Sequence, residues 1–296
     1  MKAFEFVTAG NSREAIALLA QHGAAAKVLA GGTDLLADLK SSSHVPSVVV
    51  DISRAADLKG IAVTERGLVI GALATHAEIM RSAIVQEMFP ALIDAAHSVG
   101  AVQTRSLGTL GGNLVTAVPS LDSGPALVAL DASVIIAGQA GERHLPLLEF
   151  FTGPRKTALR TGELLVAIVI PQKNLGKPAA FRKFGLRKGQ ALALVNAAAS
   201  CWVDQKTHAF LEPCIALGAV APTVIRAPQA ESYLSGRSVT PDAMAEAGRI
   251  AADEAKPISD FRASAGYRRE LIAVLVKRSL EGACMLAETR HKGGAS

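Results

Sequence analysis

Two glycine pairs, each beside hydroxyl and amide or acidic side chains, are the residues best suited to chemistry in this sequence. The first lies between a predicted strand and a predicted helix, in the segment Leu29, Ala30, Gly31, Gly32, Thr33, Asp34 and Leu35. Adjacent glycines allow a ligand to approach the backbone closely, and their N–H groups can converge on one anion. The start of the following helix adds positive potential. The segment therefore predicts a pyrophosphate site, with an ordinary turn capped by Thr33 or Asp34 as the alternative.

The second glycine pair stands in a segment of similar character. It consists of Thr109, Leu110, Gly111, Gly112 and Asn113, followed by Thr116 and Asp122. The glycines are here accompanied by an amide and a carboxylate, and a carboxylate accepts hydrogen bonds from sugar hydroxyls. Together the two segments suggest that two stretches of backbone hold one elongated anionic ligand. Two unrelated turns are the alternative, and the residues alone do not separate these interpretations.

The motifs of several common sites are absent from the sequence. It contains no G-x-G-x-x-G after a strand, no G-x-x-x-x-G-K-[ST], no H-E-x-x-H and no G-x-S-x-G, which argues against Rossmann, P-loop, zincin and α/β-hydrolase sites. The seven histidines are scattered, so each is expected to be a surface or capping residue. Cys201, Cys214 and Cys284 form no Cys-x-x-Cys pair. They are expected to pack as small hydrophobic side chains in a reducing compartment.

The composition is that of a globular chain with a basic balance. Of its 296 residues, 50% are hydrophobic, 19% charged and 4% aromatic, which allows a large core and two domains. The net charge of +5 suits an anionic ligand or a partner. For the densest basic stretch, Arg182–Lys188, a solvated face is favoured over nucleic-acid binding. With no apolar signal core and no span of about 18 apolar residues, a cytoplasmic chain is expected, or a periplasmic one if a partner carries the export signal.

Hydrophobic periodicity predicts a mixed α+β chain of two domains. Strands are expected near 27–30, 48–52, 68–73, 133–137 and 164–170. The glycine-rich stretch 104–113 is expected to be a loop. A polar stretch between Pro171 and Pro178 marks the boundary between domains 1–175 and 176–296. The second domain is predicted to hold three antiparallel strands followed by two helices, the strands lying near 181–186, 191–204 and 209–220.

Five stretches, spread in order over nearly the whole chain, carry a family resemblance. Two contain the glycine pairs: VLAGGTDLLADLK at 28–40 and GTLGGNLVTAVPSLDSGPALVALDA at 108–132. The others are ELLVAIVIP at 163–171, FRKF at 181–184 and PISDFRASAGYR at 257–268. All five resemble the FAD-binding medium subunits of the molybdenum hydroxylases, the family of carbon monoxide dehydrogenase, xanthine dehydrogenase and 4-hydroxybenzoyl-CoA reductase.

The resemblance implies a two-subdomain FAD-binding domain of the vanillyl-alcohol-oxidase (PCMH) type, followed by a small antiparallel sheet plus helices. Residues 30–34 and 109–113 would hold the pyrophosphate and ribityl region, and Thr116 and Asp122 the sugar or ribityl hydroxyls. Leu165 would approach a ring of FAD, and Lys183 would be a polar contact, with Arg182 as its alternative. The implied FAD-binding residues are Leu29, Ala30, Gly31, Gly32, Thr33, Asp34, Leu35, Thr109, Leu110, Gly111, Gly112, Asn113, Thr116, Asp122, Leu165 and Lys183.

The resemblance also implies the partners of the chain. A large subunit would bind molybdopterin and a small subunit 2Fe-2S clusters, in a dimer of heterotrimers, and FAD would pass electrons to an external acceptor. The cluster-binding insertion of the benzoyl-CoA-reductase type is missing between Asn113 and Asp131, so no iron–sulfur cluster is expected in this chain. The family resemblance implies that the substrate reacts on the large subunit, so no catalytic acid or base is expected here either. The alternatives are a stand-alone FAD-dependent oxidoreductase of the same fold and a non-enzymatic binding module.

Overall fold

The computed structural model describes residues 3–41 and 46–293 of the chain. The strands are β1 Glu5–Thr8, β2 Ala26–Leu29, β3 Val48–Asp51, β4 Ile61–Thr64, β5 Gly67–Gly71, β6 Ser133–Gly138, β7 Gly141–Pro146, β8 Phe151–Gly153, β9 Lys156–Thr157, β10 Leu164–Pro171, β11 Ala179–Gly185, β12 Ala193–Val203, β13 Phe210–Gly218 and β14 Ile225–Arg226. The helices are α1 Ser12–His22, α2 Leu35–Ser41, α3 His76–Arg81, α4 Ala83–Met88, α5 Pro90–Ser98, α6 Val102–Leu107, α7 Leu110–Thr116, α8 Ser123–Ala129, α9 Leu147–Phe150, α10 Pro228–Leu234, α11 Pro241–Glu254 and α12 Ala265–Gly293.

The N-terminal part begins with a small parallel sheet of order β1-β3-β2. Its central strand β3 is buried along its whole length, as a strand covered on both faces must be. Helix α1 begins at the cap Asn11, whose side chain accepts a hydrogen bond from the Glu14 N–H group. Leu19 of α1 packs on the sheet together with Val50. Strand β2 ends directly before the first glycine pair, so this sheet sets the position of that segment.

A second, antiparallel sheet follows, with the strand order β4-β5-β10-β6-β7. One face packs against the helices between β5 and β6, and Leu92, Leu114 and Ile168 are fully buried in the shared core. Strand β10 pairs with both β5 and β6, and its register shifts between Leu165 and Ala167. After β5, the Ala72 N–H group donates to the Val166 carbonyl of β10, and the Ala72 carbonyl accepts from the Gly111 N–H group. The second sheet therefore positions the second glycine pair.

The C-terminal part is a four-stranded antiparallel sheet, β11-β12-β13-β14, on which α10 and α12 pack, while α11 packs on these two helices. Its core contains Val195, Ile215 and Ile272, all fully buried. The three predicted strands are confirmed, and the two-residue β14 adds a fourth. The hairpin between β11 and β12 reaches the N-terminal part, where the Gln190 N–H group donates to the Gly100 carbonyl at 3.1 Å.

One predicted loop is wrong. Most of stretch 104–113 is helical, in α6 and in the first turn of α7. Thr109 caps α7, and Leu110 and Leu114, four residues apart, are fully buried on one face of the helix. Burial of that face outweighs the low helix propensity of two glycines.

Within the described ranges, none of the helices combines the length and the apolar character that a bilayer crossing requires.

Candidate functional site

A cleft of about 400 Å³ brings the two glycine segments together. Its walls include residues 30–35 of the first segment, and Thr109, 111–113 and Thr116 of the second. Asp122 and Leu165 complete the predicted residues in the walls. Leu29, Leu110 and Lys183 lie outside the lining, and Leu110 is wholly within the core behind it. The two predicted segments therefore lie on the walls of the same cleft.

The first glycine segment offers a row of free backbone donors. The Leu36 and Asp38 N–H groups donate to the Gly32 and Asp34 carbonyls, each at 3.0 Å, which starts α2. The N–H groups of residues 31–35 donate to no acceptor in the described part of the chain. Gly32 has a φ of +72°, a conformation that side chains other than glycine rarely adopt. Consecutive free N–H groups at a helix start are suited to an anion such as a phosphate.

The second glycine segment differs, because its backbone donors are already engaged. The Leu110 and Gly111 N–H groups donate to the carbonyls of Ala74 and Ala72, at 2.8 and 2.9 Å. The Gly112 N–H group donates to the Thr109 hydroxyl at 3.0 Å, and Asn113 donates to the Thr109 carbonyl. This side of the cleft therefore offers side chains to a ligand, where the sequence suggested backbone N–H groups.

The first glycine of each pair, Gly31 or Gly111, allows its segment to pack closely against a neighbouring backbone. A Cβ on Gly31 would lie 1.8 Å from the Leu107 carbonyl oxygen, and a Cβ on Gly111 would lie 2.7 Å from the Ala72 carbonyl oxygen. Neither distance is compatible with a side chain, since neighbouring carbonyls cannot move aside cheaply. The close approach of Gly31 to Leu107 joins the first segment to the α6–α7 connection.

Asp122, in the cleft wall, is bound to Lys183, which lies outside the lining. The Lys183 ammonium lies 2.5 Å from one Asp122 oxygen and 3.0 Å from the Ser98 carbonyl oxygen. The other Asp122 oxygen accepts from the Asn196 amide at 2.9 Å. Burial raises the pKa of Asp122, while Lys183 and Asn196 lower it. Arg182, the alternative to Lys183, lies instead 3.6 Å from the exposed Asp94.

The side chains of the second segment that face the cleft are partly prearranged. The Thr116 hydroxyl donates to the Gly112 carbonyl at 2.8 Å and lies 3.5 Å from Asp34 across the cleft. The Asn113 side-chain amide oxygen, Oδ1, accepts from the Ser123 hydroxyl at 2.6 Å. Each retains further hydrogen-bonding capacity, as a hydroxyl and an amide do. Thr116 and Asp34 thus mark the narrow region where both segments can touch one ligand.

Among the cleft residues that sequence reasoning missed, His76 is a buried polar one. It is 1% exposed and lines the cleft, where a surface or capping position had been expected. Burial, with a smaller effect of Arg105, lowers the pKa of His76 to about 4, so the ring is neutral at physiological pH. A local signal exists, because Thr75 and Glu78 form a capping box that makes His76 the first residue of α3.

No group of acidic, histidine or cysteine side chains in the described chain is arranged to hold a metal ion.

Comparison with known proteins agrees with this arrangement. Residues 2–173 match the model of the FAD binding domain in molybdopterin dehydrogenase, and residues 164–283 match the CO dehydrogenase flavoprotein C-terminal domain. The chain is 33% identical to the 6-hydroxypseudooxynicotine dehydrogenase complex subunit alpha of Paenarthrobacter nicotinovorans, covering 94% of this chain and 93% of that one. It is also 33% identical to the xanthine dehydrogenase FAD-binding subunit of Escherichia coli O157:H7, covering 96% and 98% of the two chains.

A solved structure extends the similarity to three dimensions. A chain of carbon monoxide dehydrogenase from Hydrogenophaga pseudoflava superposes with a TM-score of 0.91 at 32% identity, over 96% of this chain and 98% of that one. Similarity of this extent covers both the cleft and the C-terminal sheet. The chain therefore belongs to the family of FAD-binding flavoprotein subunits of molybdopterin dehydrogenases, and FAD is its cofactor.

Proposed function

We propose that FAD lies in the cleft with its pyrophosphate at the N–H groups of residues 31–35. The observation that carries this proposal is the row of five successive backbone donors without an acceptor in the described chain. A pyrophosphate supplies the acceptors that these donors lack, and the start of α2 favours its negative charge. A glycine at position 32 allows the positive φ that directs the N–H groups of residues 31–35 towards one ligand.

The other predicted residues receive different tasks in this proposal. Asn113 and Thr116 hydrogen-bond the hydroxyls of the cofactor, and Thr109 holds α7 in place. Leu165, 3% exposed in the wall, packs against a ring of FAD. Lys183 acts through Asp122, whose carboxylate it holds at the cleft. Three leucines support the two segments from their flanks: Leu29, Leu35 and Leu110. Of these, Leu110 does so from within the core.

The residues of this chain position the cofactor and exclude water from it. Bound FAD supplies the redox chemistry, since flavins exchange electrons singly or in pairs. Apolar side chains such as Val118, Leu121 and Leu159 line the cleft beside the polar segments. These side chains shield the flavin ring from solvent. They therefore set the polarity around the ring, whose charge changes on reduction. Among the described residues that line the cleft, His76 is the one histidine, and its ring is neutral.

We propose that the chain receives electrons from a small 2Fe-2S subunit, fed by a large molybdopterin-binding subunit, and delivers them to an external acceptor. Support comes from the relatives, one of which is named as a complex subunit and another as a FAD-binding subunit. A dimer of heterotrimers in the cytoplasm is the proposed assembly. An export signal on a partner would place it in the periplasm.

The test is to purify the chain alone and together with the products of its genomic neighbours, and to record visible spectra and released flavin. The proposal predicts equimolar FAD in the chain, with iron–sulfur absorbance only when the partners are present. A Gly32→Val variant should lose FAD, because a β-branched residue is strained at that φ. A solitary, catalytically active yellow protein would favour a stand-alone oxidoreductase. A colourless chain that takes up no FAD even with its partners would refute the proposal.

A further inference from the structure

His76 lies where the first glycine segment meets the α6–α7 connection. Its backbone N–H group donates to the Gly108 carbonyl at 3.1 Å. A Cβ on Gly108 would lie 3.6 Å from both the His76 ring carbon Cδ2 and the Thr33 hydroxyl oxygen. The ring and the hydroxyl therefore flank the same backbone position, at the end of the cleft where the free N–H groups of residues 31–35 begin.

The imidazole of His76 lacks the partners that a buried polar group normally has. Its Nδ1 is shielded from solvent and has no hydrogen-bond partner in the described chain. An unpaired buried polar atom is costly, and each one in a folded protein calls for an explanation, such as a functional role or a bound water or ion. Glu78, on the same helix, is bound to Thr75 and is not available to the ring. Arg105 is the charged side chain whose field acts on it.

We propose that His76 is a further FAD-binding residue, and that its imidazole hydrogen-bonds the phosphate held at residues 31–35. The inference rests on the proposed function, since it concerns the same cleft. A neutral imidazole carries one N–H donor, and a phosphate oxygen accepts from it. The bond is charge-assisted, because the phosphate is anionic.

The test measures the dissociation constant of FAD for the full chain freed of flavin, in wild type and in His76 variants. His76→Leu removes both ring nitrogens, whereas His76→Asn places an amide near the Nδ1 position and His76→Gln places one near Nε2. His144→Leu, at an exposed histidine of β7 outside the cleft, is the matched control. Thermal unfolding of the flavin-free proteins shows whether each variant keeps its fold.

Loss of one charge-assisted hydrogen bond should weaken FAD binding by about tenfold or more in His76→Leu. One of the two amide variants should bind within about threefold of wild type, and His144→Leu should match wild type. The inference is overturned if His76→Leu binds FAD like wild type. The inference is also overturned if neither amide variant restores FAD binding and the affinity for FAD falls only in step with the melting temperature of the flavin-free variant. That outcome would indicate a structural role for His76. A wild-type chain that binds no FAD would instead refute the proposed function.

Discussion

Lys183 and Asp122 form an ion pair that joins the C-terminal sheet to the wall of the cleft. Only 12% of the Lys183 side chain and 8% of the Asp122 side chain are exposed. Lys183 stands in β11, and Asp122 precedes α8 in the N-terminal part of the chain. Two residues that the sequence suggested as separate contacts to FAD are thus one unit, and the lysine positions the carboxylate.

Replacing Lys183 with methionine should therefore destabilise the folded chain. Asp122 would remain buried without its cation, at a cost of about 3 kcal/mol in the free energy of unfolding. The loss should shrink as pH falls, because a protonated Asp122 needs no cation and its pKa is already raised by burial. Urea unfolding at neutral and acidic pH measures both effects.

The neighbouring Arg182 supplies the control for that experiment. Arg182 and Asp94 are 40% and 57% exposed in their ion pair, so Arg182→Met should cost less than about 1 kcal/mol. Adding Asp122→Asn to Lys183→Met should recover part of the stability, since no buried charge is left unpaired. Equal losses from the two single variants would show that the Lys183 pair has no special role.

The sequence predicted the cleft because its two segments carry local signals. Glycine pairs beside Thr33 and Thr109 are visible without a structure, and so are the capping residues of the helices. The helix at 110–116 was missed because the glycines argue for a loop, whereas burial of Leu110 and Leu114 decides the matter. That burial depends on strands distant in sequence, which no local pattern reveals.

Sequence reasoning could not predict the contacts between residues that are far apart in the chain. Lys183 and Asp122 are 61 residues apart, and the position of His76 depends on Gly108 of another segment. The C-terminal stretch 257–268 illustrates the same limit. It carries a family resemblance, yet it lies outside the cleft lining and supports the fold through Asp260 and Arg268.

Gly31→Ala should be the most damaging alanine substitution in the first segment. The new Cβ would meet the Leu107 carbonyl oxygen at 1.8 Å, so the segment and the α6–α7 connection must separate. We expect a loss of about 3 kcal/mol in the free energy of unfolding, together with loss of bound FAD. Gly189→Ala is the control, since its Cβ would have no atom within 4 Å. A Gly31→Ala chain with wild-type stability would contradict the packing role of this glycine.

The Asp260 carboxylate should make the stability of the chain sensitive to acid. It accepts from the Arg262 and Ala263 N–H groups at 2.9 and 3.2 Å, and from Arg268 at 3.0 Å. Although desolvation opposes them, these bonds lower the pKa of Asp260 to about 2. A carboxyl with a lowered folded-state pKa stabilises the fold above its ordinary pKa, and that contribution is lost as pH falls towards 2.

The matching experiment compares urea unfolding midpoints of wild type and Asp260→Asn over an acidic pH series. Wild type should be more stable at neutral pH, and the difference should narrow between about pH 4 and 2. Taking the difference removes the acid sensitivity that both proteins share. A gap that stays constant through this range would mean that the charge on Asp260 contributes nothing, and that the variant fails for steric reasons.

Gln190, at the tip of the β11–β12 hairpin, should control how fast FAD leaves the cleft. The tip lines the cleft, and its contact with the N-terminal part is the bond from the Gln190 N–H group to the Gly100 carbonyl. Gln190→Pro removes that N–H group and cannot adopt the φ of 48° found there. Gln190→Gly keeps the N–H group and tolerates a positive φ, so it is the matched control.

We expect FAD dissociation, followed by the change in flavin fluorescence after dilution, to be faster in Gln190→Pro than in wild type and unchanged in Gln190→Gly. The melting temperature of the flavin-free chain should change little, because the hairpin tip contributes few buried contacts and opens at low cost. If the proline variant released FAD at the wild-type rate, the contact between the hairpin tip and Gly100 would not limit the release of the cofactor.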